Sequence, residues 1–137
     1  MSGMENKHFI FLDTNLFIYF FEGKGVLGLK AKKVFELLAT NKVKAVTSII
    51  TQIELLSLKS SNESTKHLLE LFLETPNLTI ENLGPEIANE AARVRRVYGF
   101  RTPDAIQLAT ALYCKADKFI TNDKRLASFK EINIELL

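Results

Sequence analysis

The sequence predicts an α/β fold with a mainly parallel sheet of about five strands, on three observations. Short apolar runs rich in β-formers alternate with segments of helical periodicity along the chain. No internal repeat, low-complexity tract or linker interrupts them, so the 137 residues are taken as one domain over 1–137. Two of the strand-like runs, FIFLD and FITND, stop at an aspartate about a hundred residues apart. In an open parallel sheet, that edge is where ligands bind.

The elements follow in order. Residues 1–7 are expected to be flexible, and Met1-Ser2-Gly3 before Met4 is set aside as a cloning remnant. HFIFL, 8–12, is an apolar run of the kind a buried strand needs. A helix over 14–22 follows, and Gly23, Gly25 and Gly28 are taken as turn glycines that break it. Leu29, Val34, Leu37 and Leu38 recur at helical spacing and define a helix over 29–40, closed by Asn41. VKAVT, 43–47, is the second strand, and Ser48 caps a helix over 49–60. Ser60 to Ser64 is a polar loop, and the next helix, 63–74, stops at Pro76. NLTIENL, 77–83, is the third strand. Gly84-Pro85 opens a helix over 85–98 ended by Gly99, and Thr102-Pro103 opens another to about 115. KFIT is the fourth strand and INIELL the fifth.

Composition narrows the function. Apolar residues make 47% of the chain and charged residues 25%, an ordinary globular balance. A formal charge of +2 makes no general case for a polyanion partner, so such a case has to come from local clustering. Cys114 is the single cysteine, which excludes an internal disulfide and fits a reducing, cytoplasmic setting. The apolar stretch 9–21 is broken by Asp13 and Asn15 and is too short to span a bilayer, so no membrane role is expected.

Four acids stand out. Asp13 and Asp123 close strands. Glu54 has Ile50 and Leu58 at i−4 and i+4, and Asp104 begins a face continued by Leu108, Ala111 and Leu112. Each has a plainer explanation on its own, as a turn acid, a helix-dipole partner or a paired core acid. Together they are harder to dismiss, because a carboxylate on an apolar face must be paired, protonated or bound to a cation. No lysine or arginine is expected on the same face at i±3 or i±4 to Asp13, Glu54 or Asp104, and Arg101 is left open as a partner. Oxygen-only donors favour Mg²⁺, with Mn²⁺ as the other choice, over zinc. There is no CxxC, His8 and His67 show no ligand spacing, and the glycines lack the Lys-Ser/Thr of a phosphate loop. Asp117, ahead of the fourth strand, is taken as a turn acid.

The ordered set Asp13-Thr14-Asn15, Ser48-Ile49-Ile50-Thr51 with Glu54, Thr102-Pro103-Asp104-Ala105 and Thr121-Asn122-Asp123 resembles the PIN domain. In length and order it is most similar to the VapC toxins of toxin–antitoxin pairs. The resemblance runs from residue 8 to the last strand. It implies a three-layer α/β/α sandwich and a metal-dependent endoribonuclease in which Asp13, Glu54, Asp104 and Asp123 hold Mg²⁺ or Mn²⁺. Thr121 matches a hydroxyl position that orients a carboxylate or water, and Asn15 a polar position beside the site. Hydrolysis would use metal-activated water rather than the RNA 2′-hydroxyl. The resemblance also implies a cognate antitoxin and a homodimer, with the apolar helices 29–40 and 49–59 as a surface for the antitoxin. RNA would then meet the basic residues around the acids: Arg93, Arg96, Arg101, Lys124 and Arg125. Tyr98 and Phe100 are either base-stacking or core residues.

Three other functions compete. An aspartyl-phosphate phosphatase needs a second acid two residues after Asp13, where Asn15 stands. A receiver domain needs a mid-chain aspartate at a strand end, and no aspartate lies between Asp13 and Asp104. A catalytically silent binding module on the same fold would not need all four acids.

Overall fold

The computed structural model describes residues 8–58 and 61–137, so residues 1–7 and the end of the 49–60 helix fall outside the described residues. The chain runs β1 (His8–Leu12), α1 (Thr14–Glu22), α2 (Gly25–Ala39), β2 (Val43–Ser48), α3 (Ile49–Leu56), α4 (Asn62–Leu73), β3 (Leu78–Glu81), α5 (Pro85–Tyr98), α6 (Thr102–Tyr113), β4 (Lys118–Thr121), a 3-10 turn (Lys124–Ser128) and β5 (Asn133–Leu136). All strand pairs are parallel, in the order β3-β2-β1-β4-β5. The strand order reverses direction between β1 and β4, which opens a crevice at their carboxyl ends.

Alternation along the strands divides the core into two layers. Ile10, Leu12, Ala45 and Ile120 face one side, where they meet Leu16 and Phe17 of α1, Phe35 and Leu38 of α2, Leu55 of α3 and Phe72 of α4. Phe11, Val46 and Phe119 face the other side, against Ile87, Ala91 and Val94 of α5 and Ala105, Leu108 and Ala109 of α6. Phe11 and Phe119 stack across the β1–β4 pair at 4.7 Å. Tyr98 and Phe100 belong to this second layer: Phe100 is buried, and both rings pack on Phe129.

One expectation fails at the glycines. Helix α2 starts at Gly25, not Leu29, and Gly28 lies buried within it. A Cβ at Gly28 would stand 3.0 Å from the Gly23 carbonyl carbon, so this position lets α2 pack against the end of α1. Gly23 itself closes α1 at φ 65. Strands β1 and β4 and helices α1 and α5 keep the expected bounds and β2 runs one residue longer, while α3, α4, α6, β3 and β5 stop a residue or more short, as fraying termini do.

Candidate active site

Asp13 is both the last residue of the β1 run and the N-cap of α1. Its Oδ1 accepts from the Thr14 backbone N–H at 2.9 Å, and its Oδ2 accepts from the Thr121 hydroxyl at 2.7 Å. Thr121 ends β4, so the β1–β4 pairing delivers this contact. Asn15, one turn edge further on, donates to Thr121 Oγ1 at 3.2 Å and accepts from the Asn122 N–H at 3.3 Å. The hydroxyl is thereby held on Asp13. Ser48 caps α3 as expected, and the helix carries Glu54 towards β1, where Glu54 Oε1 accepts from the Thr14 hydroxyl at 2.6 Å.

Asp104 and Asp123 sit opposite, at the first turn of α6 and at the cap of the 3-10 turn. That turn folds Arg125 back over them. Its guanidinium reaches Asp123 Oδ2 at 2.5 Å, Asp123 Oδ1 at 3.0 Å and Asp104 Oδ2 at 3.2 Å. Arg101 Nε adds a bond to Asp104 Oδ2 at 3.3 Å from one helical turn away. Arg101, left open as a partner, thus stands at i−3 from Asp104, which corrects the expectation of no base at helical spacing.

The four acids line one cleft of about 470 Å³, together with Thr14, Asn15, Ile18, Gln107 and Arg101. A larger groove of about 550 Å³ runs between Leu83, Ala88, Arg95, Arg96 and Ile106, and it contains no acid. Clustered titratable groups, rather than size, mark the candidate site. As the side chains stand, no three His, Cys, Asp or Glu among the described residues converge on a common metal point. Asp13 and Glu54 form an inner pair held by hydroxyl and amide donors, while Asp104 and Asp123 form an outer pair that shares one cation, Arg125.

The electrostatics differ between the pairs. Burial pushes the Asp13 carboxyl up to about 6, against the hydrogen bonds from Thr121, the Thr14 N–H and Gln107; the charge of Glu54 adds to the rise. The residue keeps partial exposure at the cleft mouth, but its carboxyl lies inward among these donors, so burial governs. Asp123 is held below the usual carboxylate range, chiefly by its bond to Arg125. Cys114, pushed up to about 12 by burial and by Glu81, is no thiolate nucleophile. His67 is exposed, and Asp117 accepts from the Phe9 N–H at the far end of β1.

The basic residues are scattered. Arg101 lines the acidic cleft, and Lys124 is exposed next to Asp123. Arg93 is engaged by Glu90 and Glu131, and Arg96 lines the larger groove. Sequence reasoning missed Thr14, Thr51 and Gln107 as site residues. The available signal was Gln107 itself, a polar residue between Ile106 and Leu108 on a helix whose residues 105–111 are all buried.

A small parallel α/β/α domain with acids gathered at the switch point between its central strands belongs to a recognisable class. Residues 10–132 match the family model described as "PIN domain", and the chain belongs to that family. No curated protein sequence matches it. Among solved structures, it is similar to VapBC2 from Rickettsia felis bound to a promoter DNA fragment: TM-score 0.75 and 20% identity, over 93% of this chain and 98% of that one. DNA-bound VapBC from Salmonella typhimurium gives a TM-score of 0.74 and 19% identity over 95% and 98%. A toxin–antitoxin complex from Klebsiella pneumoniae gives 0.68 and 24% over 90% and 94%. These likenesses bear out the expected fold.

Proposed function

We propose that this protein is a metal-dependent endoribonuclease, the toxin of a toxin–antitoxin pair, acting as one domain in the cytoplasm. The observation that carries this is the cleft at the β1–β4 switch point, which brings Asp13, Glu54, Asp104 and Asp123 together within a PIN domain. The donor chemistry fits Mg²⁺ or Mn²⁺: the acids of the cleft are all carboxylates, with no thiol or imidazole among its lining residues, and the outer pair already binds a cation in the form of Arg125. Asp13, Glu54, Asp104 and Asp123 would hold the ion, which supplies water activation and charge stabilisation at the scissile phosphate.

The protein's own groups do the rest. Thr121 and the Thr14 N–H hold Asp13 in one orientation. Glu54 has one oxygen on Thr14 and stands on the cleft wall, where it takes the proton of the attacking water. Arg101 and Lys124, beside the acids, attract the RNA backbone. Structural relatives are toxin–antitoxin complexes, which supports an antitoxin protein as partner. Exposed Val26, Leu29 and Leu37 on α2 and Ile53 on α3 offer it an apolar surface. A homodimer is the assembly that accompanies this assignment.

The products test the chemistry. A defined RNA oligonucleotide incubated with Mg²⁺ should yield fragments with 5′-phosphate that ligate without kinase treatment, and EDTA should stop the reaction. Fragments ending in 2′,3′-cyclic phosphate would replace water attack with attack by the RNA's own 2′-hydroxyl. No cleavage of any RNA, with Mg²⁺ or Mn²⁺ bound, would favour the silent binding module.

Arg101→Ala should weaken RNA binding and flatten its dependence on log salt by about one unit, the loss of one phosphate contact. The same flattening in Arg96→Ala would extend the RNA path into the larger groove. An unchanged slope in both would move the path elsewhere.

A further inference from the structure

Beneath the acids lies a chain of buried polar groups whose protons can be assigned one by one. Thr14, Thr47, Ser48, Thr51 and Gln107 are each 7% exposed or less. The Thr47 hydroxyl donates to the Leu12 carbonyl at 2.8 Å, and a carbonyl can only accept. The 2.8 Å contact between Thr47 and Thr51 therefore uses the Thr51 proton. Thr14 gives its proton to the Glu54 carboxylate at 2.6 Å. Both hydroxyls of the 3.0 Å Thr14–Thr51 contact have then spent their hydrogens elsewhere.

Gln107 supplies what is missing. Its Nε2 donates to Thr51 Oγ1 at 2.9 Å and lies within 3.3 Å of Thr14 Oγ1 and 3.4 Å of Asp13 Oδ1. Its Oε1 accepts from the Ser48 hydroxyl, which itself accepts from the Ile50 N–H. The amide has one workable orientation. Flipped, its oxygen would face three acceptors with no hydrogen between them, a buried arrangement that is costly.

We propose that Gln107 is a positioning residue for the inner acidic pair. One amide proton satisfies Thr51 and the other is shared between Thr14 and Asp13, which leaves the Thr14 hydroxyl free to bond to Glu54. Standing three residues after Asp104 on α6, it also ties the outer pair to the inner one through the N-termini of α1 and α3. Without those protons the Thr14 hydroxyl turns to Thr51, and Glu54 loses its fixed partner. This inference rests on the metal-nuclease assignment and adds to it a residue outside the four acids.

The test is Mn²⁺ binding by calorimetry on the full chain, with a urea midpoint in EDTA recorded in parallel. Gln107→Met should bind Mn²⁺ at least tenfold more weakly per folded molecule, with kcat lowered and KM for RNA within about twofold, the 10–100-fold scale of a lost orienting partner. A lower urea midpoint with unchanged Mn²⁺ affinity would make Gln107 merely structural and overturn the proposal. Gln107→Glu covers the case in which the methionine variant does not fold. It is isosteric and keeps the Ser48 bond, but its added charge alone should tighten Mn²⁺, whereas loss of the amide protons should weaken it. Weaker binding supports positioning; equal or tighter binding overturns it. Wild-type protein that binds no Mn²⁺ would instead overturn the metal-nuclease assignment, an outcome separate from either variant result.

Discussion

Asp13→Asn should abolish RNA hydrolysis while leaving the metal-free protein at least as stable as wild type at pH 7.5. Raising a buried carboxyl from its ordinary 3.8 to about 6 means that the folded state binds the proton more tightly than the unfolded chain. This contribution to stability is complete below pH 3.8 and is lost as pH rises through about 6. The loss amounts to about 3 kcal/mol at pH 7.5. Asparagine keeps the shape without the charge, so it escapes that loss. It also takes an acceptor from the Thr121 hydroxyl, at a cost of about 1 kcal/mol. The net expectation in EDTA is a gain of about 1–2 kcal/mol at pH 7.5 and a deficit of about 1 kcal/mol at pH 4, measured by urea unfolding. Mg²⁺ at a hundredfold excess over its dissociation constant should add about 2.7 kcal/mol to wild type and less to the variant. Activity should fall by more than the roughly 10–100-fold that follows loss of an orienting partner. A variant several kcal/mol less stable in EDTA at pH 7.5, with the Mg²⁺ gain intact, would make Asp13 a structural acid paired with a base.

The sheet was legible because each strand is a short β-branched or aromatic run bounded by a clear stop. The acids at its edge were legible for the same reason: Asp13 and Asp123 are marked by where apolar runs end, and Asp104 by the Pro103 that starts its helix. What lay between the acids was hidden. Arg125 is two residues from Asp123 in sequence, and only the 3-10 turn, which no periodicity announces, folds it across to Asp104. Arg93 has Glu90 three residues before it in sequence, but its second partner, Glu131, lies 38 residues away. Hydroxyl partners fared no better. Thr14 and Thr51 occur in the motif-bearing stretches, but their roles depend on a contact between the starts of α1 and α3 that sequence spacing does not encode. The Gly25–Gly28 start of α2 was missed because glycine's helix-breaking tendency was weighed and its packing value was not. Close approach of the α1 end overrides propensity there.

Phe17→Ala should cost about 3–5 kcal/mol of folding stability, a large part of what a domain of this size has. Phe17 is fully buried, with its ring edge-on to Phe35 of α2 and Phe72 of α4, both centroids at 5.2 Å. Three helices thus meet on one side chain, and truncation leaves a cavity that none of them can close without moving another. The position also matters to the site. Phe17 lies one helical turn beyond Asp13, so the packing that fixes α1 on the sheet also sets where the N-cap carboxylate sits. Mg²⁺ at a hundredfold excess returns only about 2.7 kcal/mol, less than the expected cost, and returns less still if the cluster has loosened. The expected result is therefore a large drop in urea midpoint in EDTA, only partly recovered with Mg²⁺, together with weaker Mg²⁺ binding by the fraction that remains folded. A drop of less than about 1 kcal/mol would mean that the α1 layer collapses around the missing ring. Full recovery by Mg²⁺ would show that the acidic cluster is held by the β1–β4 edge and its hydroxyl partners without help from the aromatic layer behind it.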